Sequence, residues 1–424
     1  MEQFGYILIL MKLSEIQEIG ATQKIALEQH EHGLNRQALP DLPDIQSHAL
    51  VVSGIRRCGK STLLRQFIQK LNRRYFYLNF DDIRFAAFSS TDFALVDKAI
   101  ADSGVRLIFF DEIQSAEHWE LYVRQKLDEG FQLAITGSNA SLLSRELGSR
   151  LTGRHITKEL FPFSYEEFCR FNGLDAGPES FADYLEKGGF PEFLKTDNTD
   201  ILSQLQSDIL YRDIAARYGI RDATSLRRLF VYLVSNPARL FSPSKLTGVA
   251  GVKSPTTVLE YIYYFEAAYL IHLLPCFAWS VKAQSLAPKK VYIADTGFIK
   301  TGAVSFSGNY GALLENCVYN SLRSKTGISG SSNDRNIYYF TDKNGGECDF
   351  IINPETNPSC IQVCWELTPD NQDREIKGLL EAMDFFNLDC GTIITFNSED
   401  IIQIAGKKII VIPAWKNCLY GGSQ

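Results

Sequence analysis

This chain of 424 residues is notable first for what it lacks. It has no apolar run approaching the roughly 18 residues that a membrane-spanning helix requires, which predicts a soluble protein with no membrane partner; its scattered cysteines predict a reduced cytoplasm. Its nine cysteines include no CxxC pair, so neither a disulfide framework nor a tight zinc site is expected. The six histidines share no ligand spacing, and no internal repeat is visible. Positive charge is not in excess: 43 Lys and Arg stand against 50 Asp and Glu, a formal net charge of −7. That balance argues against a bulk polyanion binder and leaves room for a local nucleic-acid site.

What is present is ample apolar material. Hydrophobic residues make up 45% of the chain and charged residues 22%, ordinary globular values. At a prior of roughly 150 residues per domain, two to three domains are expected. Residues 4–11, FGYILILM, lack a basic leader and a small-residue cleavage site, so they make a poor signal peptide. Residues 1–10 are expected to lie outside the fold, with Met11 reading as an ordinary start.

The first half alternates strands and helices. ALVVSGI (49–55), RRYFYLNFDD (73–82), VRLIFFDE (105–112) and FQLAITGS (131–138) read as strands, with helical material between them. The segment after Ser61 places Leu63, Leu64, Phe67, Ile68 and Leu71 at helical spacing. Such alternation predicts a parallel sheet with helices on both faces. Beyond about residue 165 the pattern turns helical over 200–235. Residues 242–271 then have helix-turn-helix spacing, and strand-like segments follow at 272–278 and 289–294. After a Gly/Ser-rich stretch at 301–312 come a helix (313–325), strands NIYYFTD, GECDFIIN and CIQVCWEL, a helix near 373–386, and strands GTIITF and KKIIVIP.

Gly54-Ile55-Arg56-Arg57-Cys58-Gly59-Lys60-Ser61 matches GxxxxGK[ST] between a buried strand and a helix, the context that gives this pattern meaning. The glycines let backbone N–H groups curl around phosphate oxygens, and the helix adds its positive N-terminal end. Residues Gly54 to Thr62 would cradle ATP, with Lys60 reaching the β- and γ-phosphates and the Ser61 hydroxyl on Mg²⁺. The apolar run 107–110 delivers Asp111 and Glu112 at a strand's carboxyl end, where open α/β sheets bind ligand. Asp111 would support the metal and Glu112 would activate water. Ser138 and Asn139, at the tip of the next strand, could position that water or cap a helix. Arg150 and Arg154 could sense the γ-phosphate or pair with local acids.

SGIRRCGKSTLL, DEIQ, TGSNASLL and LTGRHITKELFPFSYEEF together resemble the AAA-type P-loop ATPases of a prokaryotic family. GGFPEFL (188–194) and LYRDI (210–214) resemble it too. The resemblance implies ATP and Mg²⁺ chemistry, a winged-helix-like region and a C-terminal restriction-endonuclease-like domain. The expected divisions are an N-terminal helical segment (1–40), the ATPase domain (41–170), a helical lid with winged-helix-like region (171–302) and a degenerate nuclease-like domain (303–424). The fold class is α/β: a P-loop parallel sheet with helices on both faces, followed by the helical and winged-helix-like region and an α/β C-terminal domain.

The winged-helix-like region would set Lys253, Ser254, Thr256 and Thr257 at the start of a recognition helix for double-stranded DNA. That helix continues VLEYIYYFEAAYLI, apolar on almost every face, which predicts burial instead. The C-terminal order resembles the PD-(D/E)XK nuclease core. The resemblance makes Glu315 the helix acid and Asp349 the metal-binding aspartate. Where an acid, a spacer and a lysine belong, the chain has Gln362, Val363 and Cys364. Gln362 carries no charge for a hard cation, and Cys364 cannot replace an ammonium. Glu366, on the same strand face by period two, could restore one ligand. Nuclease activity is therefore not expected. Residues 303–424 hold nine Lys and Arg against fifteen Asp and Glu, a second argument against DNA binding there.

The resulting expectation is an ATP hydrolase whose nucleotide state moves a macromolecular partner. A slow nucleotide-gated switch that recruits a protein, or an ATP-driven DNA-processing factor, are the alternatives. The resemblance also implies a homo-oligomer, since AAA-type sites are often completed between subunits.

Overall fold

The structure is a computed structural model that describes residues 11–29, 33–138, 153–302, 309–325, 336–342 and 345–420. The expectations for residues 1–10, Asn139 and Arg150 lie outside the described residues. The described chain divides into two units. One runs through Gly54 and from Gly59 to Leu160; the other comprises Ile55–Cys58 and the chain from Phe161 onward.

Five strands form the sheet of the first unit: β1 (Ala49–Ser53), β2 (Phe76–Asn79), β3 (Leu107–Asp111), β4 (Gln132–Gly137) and β5 (His155–Glu159). Every pairing is parallel and the order is β2-β3-β4-β1-β5. Successive strand side chains point to opposite faces, and both faces are covered. Phe109 meets Phe67 of the helix Lys60–Leu71, with ring centroids 6.5 Å apart. Phe110, the next residue, meets Tyr122 of the helix Trp119–Asp128 at 6.1 Å. Each fully buried ring of this kind contributes about 1.5–3 kcal/mol by leaving water. Trp119 is a core residue. The edge strand β5 is half-buried along its length, and its HITKE sequence carries no apolar run that would announce it.

In the second unit the helical stretch expected over 200–235 is three pieces: Thr199–Ser207, a π-helix over Asp208–Ala216, and Ala223–Ser235. Helices Pro243–Ala250 and Pro255–Ala267 follow, joined through Gly251 in the left-handed region (φ 74°). The second of these is not buried all round. Val258, Tyr261, Ile262 and Phe265 face inward, while Leu259 and Tyr263 are exposed, because the apolar residues of this segment exceed what one face can cover. Three antiparallel strands, β6 (Arg239–Phe241), β7 (Ile271–Leu274) and β8 (Lys289–Ile293), lie in the order β6-β8-β7.

The C-terminal sheet is mixed, in the order β13-β14-β12-β11-β10-β9. Its strands are β9 (Ile337–Thr341), β10 (Glu347–Ile352), β11 (Ser359–Val363), β12 (Cys390–Thr395), β13 (Asp400–Ile404) and β14 (Lys407–Pro413). Within this unit the Phe277 amide donates to the Tyr339 carbonyl at 2.7 Å and the Tyr339 amide to the Pro275 carbonyl at 3.1 Å. Cys348, Cys360 and Cys364 pack among Ile376, Leu379 and Met383 as ordinary core residues.

Candidate ATP site

The phosphate loop leaves the buried strand β1 through a sharply curled backbone. Gly54 has φ 142° and Gly59 φ 102°, conformations that side-chain-bearing residues rarely adopt. A Cβ at Gly59 would also come within 3.0 Å of the Arg36 guanidinium. Lys60 opens the helix that follows. Its side chain is buried, its ammonium donates to the Gly54 carbonyl at 3.1 Å, and it lies 3.7 Å from the Glu112 carboxylate.

Asp111 ends β3, buried, in register with Asn79 of β2. It accepts hydrogen bonds from the hydroxyl of Thr136 on β4, from that of Tyr77 on β2 at 3.2 Å, and from Ser61. Burial pushes its carboxyl above the usual range and the neighbouring Glu112 adds to this; the Thr136 and Ser61 hydroxyls and the Lys60 ammonium pull it back. Burial and the Asp111 charge push the Tyr77 phenol upward, so it stays a donor. The hydroxyl–carboxylate pair of Ser61 and Asp111 is a hard-oxygen donor set of the kind Mg²⁺ takes, and a divalent cation there would favour the charged carboxylate.

Glu112 is held in the left-handed region at φ 48°, a conformation that stores strain in a non-glycine residue. Two contacts secure it. Its amide donates to the Thr136 hydroxyl at 3.0 Å, and its carboxylate accepts the Gln114 amide. The same Gln114 nitrogen lies 3.4 Å from the Ser138 hydroxyl, and the Gln114 carbonyl oxygen is buried with no hydrogen-bond partner. Ser138 immediately follows the end of β4.

Arg154 does not join these residues. Its carbonyl accepts from the Ala49 amide at 3.1 Å, and its guanidinium pairs with Asp128. It stands level with the start of β1, the length of the strand away from the loop, roughly 16 Å at 3.3 Å per residue. Tyr77 and Thr136 are the residues that sequence reading missed. Both sit within strands, where nothing but their polarity among apolar neighbours marks them.

The middle of the loop, Ile55–Cys58, clusters with the second unit. Arg56 pairs there with Asp213 of the π-helix at 3.4 Å, and Arg57 with Glu192, in the first turn of the helix Pro191–Thr196, at 2.8 Å. These are the acids of the LYRDI and GGFPEFL motifs. The Gly189 amide of the latter donates to the buried Asp295 at 2.7 Å.

The nuclease-like residues also gather. Glu315 on the helix Tyr310–Lys325, Asp349 on β10 and Gln362 on β11 meet in one buried hydrogen-bonded cluster. Cys364 lies past the end of β11 in the core, with its thiol pushed up to about 12 by burial. Glu366 is exposed and off the strand, because β11 ends at Val363.

An AAA domain model matches residues 46–169, and two domains of unknown function (DUF8612 and DUF4143) match 178–304 and 310–416. An uncharacterized protein of Methanocaldococcus jannaschii, MJ1544, is 33% identical over 393 residues, spanning 86% of this chain and 87% of that protein. The chain belongs to the family of that archaeal protein. Within the family, an uncharacterized protein of Haemophilus influenzae is 29% identical over 386 residues, spanning 86% of this chain and 93% of its own. Among solved structures, the Walker-type ATPase PABY2304 of Pyrococcus abyssi is 16% identical with a TM-score of 0.39, covering 67% of this chain and 94% of that one. Residues 46–169 form an AAA domain. None of the described helices is long and apolar enough to cross a membrane.

Proposed function

We propose that the AAA domain binds ATP with Mg²⁺ and hydrolyses it to ADP and phosphate. The observation that carries this reading is the meeting of Lys60 and Ser61, from the loop, with Glu112 and Asp111, from the end of β3. The backbone from Gly54 to Thr62 would cradle the phosphates and Lys60 would neutralise their β- and γ-oxygens. Ser61 and Asp111 would hold Mg²⁺, which supplies charge stabilisation on the same oxygens. Glu112 would take a proton from the attacking water. Arg154 pairs with Asp128; Arg150 would be the arginine that senses the γ-phosphate, and Asn139 would position the attacking water. Glu112→Gln should retain ATP binding and lose turnover; unchanged hydrolysis would reject the role.

Arg56 and Arg57 favour coupling of nucleotide state to the second unit, since the residues that flank the phosphates are those paired with Asp213 and Glu192. The Gln114 amide on the Glu112 carboxylate favours a second reading, a slow nucleotide-gated switch that recruits a protein. Turnover measured with and without double-stranded DNA separates these from DNA processing. Stimulation that fades with salt marks a phosphate-backbone partner, and a rate indifferent to DNA supports the switch. A mass measurement with and without ATP tests self-association.

A further inference from the structure

The nuclease-like cluster contains a residue from outside its motif. Lys290, on β8, brings its ammonium within 2.9 Å of Glu315, 2.8 Å of Asp349 and 2.6 Å of Glu347. An ammonium has three N–H donors and no acceptor, so three carboxylates saturate it. The Lys290 side chain is 3% exposed, and the ring of Tyr339 lies 5.8 Å away. The surrounding groups are engaged as well. The Tyr292 hydroxyl donates to Glu315 at 2.7 Å and the Val363 amide to the second Asp349 oxygen at 2.9 Å. Gln362 accepts the Asp349 amide at 3.2 Å and donates to the buried Glu375 at 2.7 Å.

We propose that the Lys290 ammonium is the resident cation of this cluster, seated where a nuclease of the resembled type seats its divalent metal, so that the domain takes no metal and cuts no phosphodiester. A second cation admitted among the same oxygens would stand about 3 Å from the ammonium, where poorly screened like charges repel strongly. Among the described residues no three His, Cys, Asp or Glu side chains are grouped to hold a metal ion. The ammonium also ties β8 to the helix Tyr310–Lys325 and to β10, which makes it a cross-link within the second unit.

The test is Mn²⁺ binding to the nucleotide-free, full-length protein, followed by electron paramagnetic resonance. Lys290→Ala should bind one more ion than wild type, and the double variant Lys290→Ala/Asp349→Asn should lose that extra ion. Failure of Lys290→Ala to gain an ion overturns the proposal. So does an Asp349-dependent ion, or Asp349-dependent cleavage of DNA with Mn²⁺, in the wild type. Should Lys290→Ala fail to fold, amine acylation of the wild type read by mass spectrometry decides. Lys290 should stay unlabelled with and without Mn²⁺, and labelling that Mn²⁺ induces would show the ammonium displaced, against the proposal.

Discussion

The hydroxyl of Thr136 stands between the two acids at the end of β3, donating to the Asp111 carboxylate and accepting the Glu112 amide at 3.0 Å. One fully buried side chain thereby fixes both the group proposed to support the metal and the backbone of the group proposed to activate water.

Thr136→Val keeps the shape and removes the hydroxyl. Two buried polar groups lose a partner, at a cost of about 1–3 kcal/mol. Chemical denaturation should show that loss, and ATP turnover should fall with it. Thr136→Ser should restore both.

Gln114 should govern Glu112 from the side. Its amide engages the carboxylate while its own carbonyl is buried without a partner, an arrangement that costs stability and restrains the acid. Gln114→Ala is expected to raise kcat and leave ATP affinity unchanged. A fall in kcat would make Gln114 a positioning donor instead.

The two loop arginines should differ. The Arg56–Asp213 side chains are 19% and 15% exposed, those of Arg57–Glu192 40% and 50%. A double-mutant cycle on ATP affinity with Arg56→Gln and Asp213→Asn should give a coupling of about 0.5–1 kcal/mol that survives moderate salt. The same cycle at Arg57 and Glu192 should give less, and salt should erase it.

Asp295 predicts a pH dependence of stability. Burial raises its carboxyl from 3.8 to about 7, against the pull of hydrogen bonds from the Gly189 and Gly297 amides. The folded state then binds a proton more tightly than the unfolded chain. Stability from this residue is fullest below the unfolded value and is lost as pH rises from about 4 to about 7. The total is on the order of 4 kcal/mol at 1.4 kcal/mol per unit. Denaturation across that window should show the decline, and Asp295→Asn should flatten it.

Much of the ATP site was legible because its physics is local. A continuous apolar run, a glycine pair at fixed spacing and a helical period lie side by side in 49–71, and the apolar run 107–110 delivers Asp111 and Glu112. Tyr77 and Thr136 were not legible: each reaches Asp111 from a neighbouring strand, and strand order is a property of the sheet. The same holds for β13, whose DIIQI stretch is mostly exposed. Lys290 was hidden for a further reason. The resembled motif places its lysine two residues after an acid, on one strand, whereas this lysine arrives from β8 through contacts between elements far apart in sequence. Arg154 misled because proximity in sequence to the phosphate-site motifs says nothing of which end of a strand a residue occupies.

The π-helix over Asp208–Ala216 gives the LYRDI segment a particular phase. Such a coil fits one residue more into its hydrogen-bonded loop than an α-helix does, so the chain on either side is turned relative to a regular helix. Excising a single residue ahead of Asp213 would let the segment relax to α-helical pitch and swing the preceding side chains by about 100°. The aim of Asp213 at Arg56 is thus a matter of residue count as much as of residue type, and in this stretch a deletion should be more damaging to the loop than any one substitution.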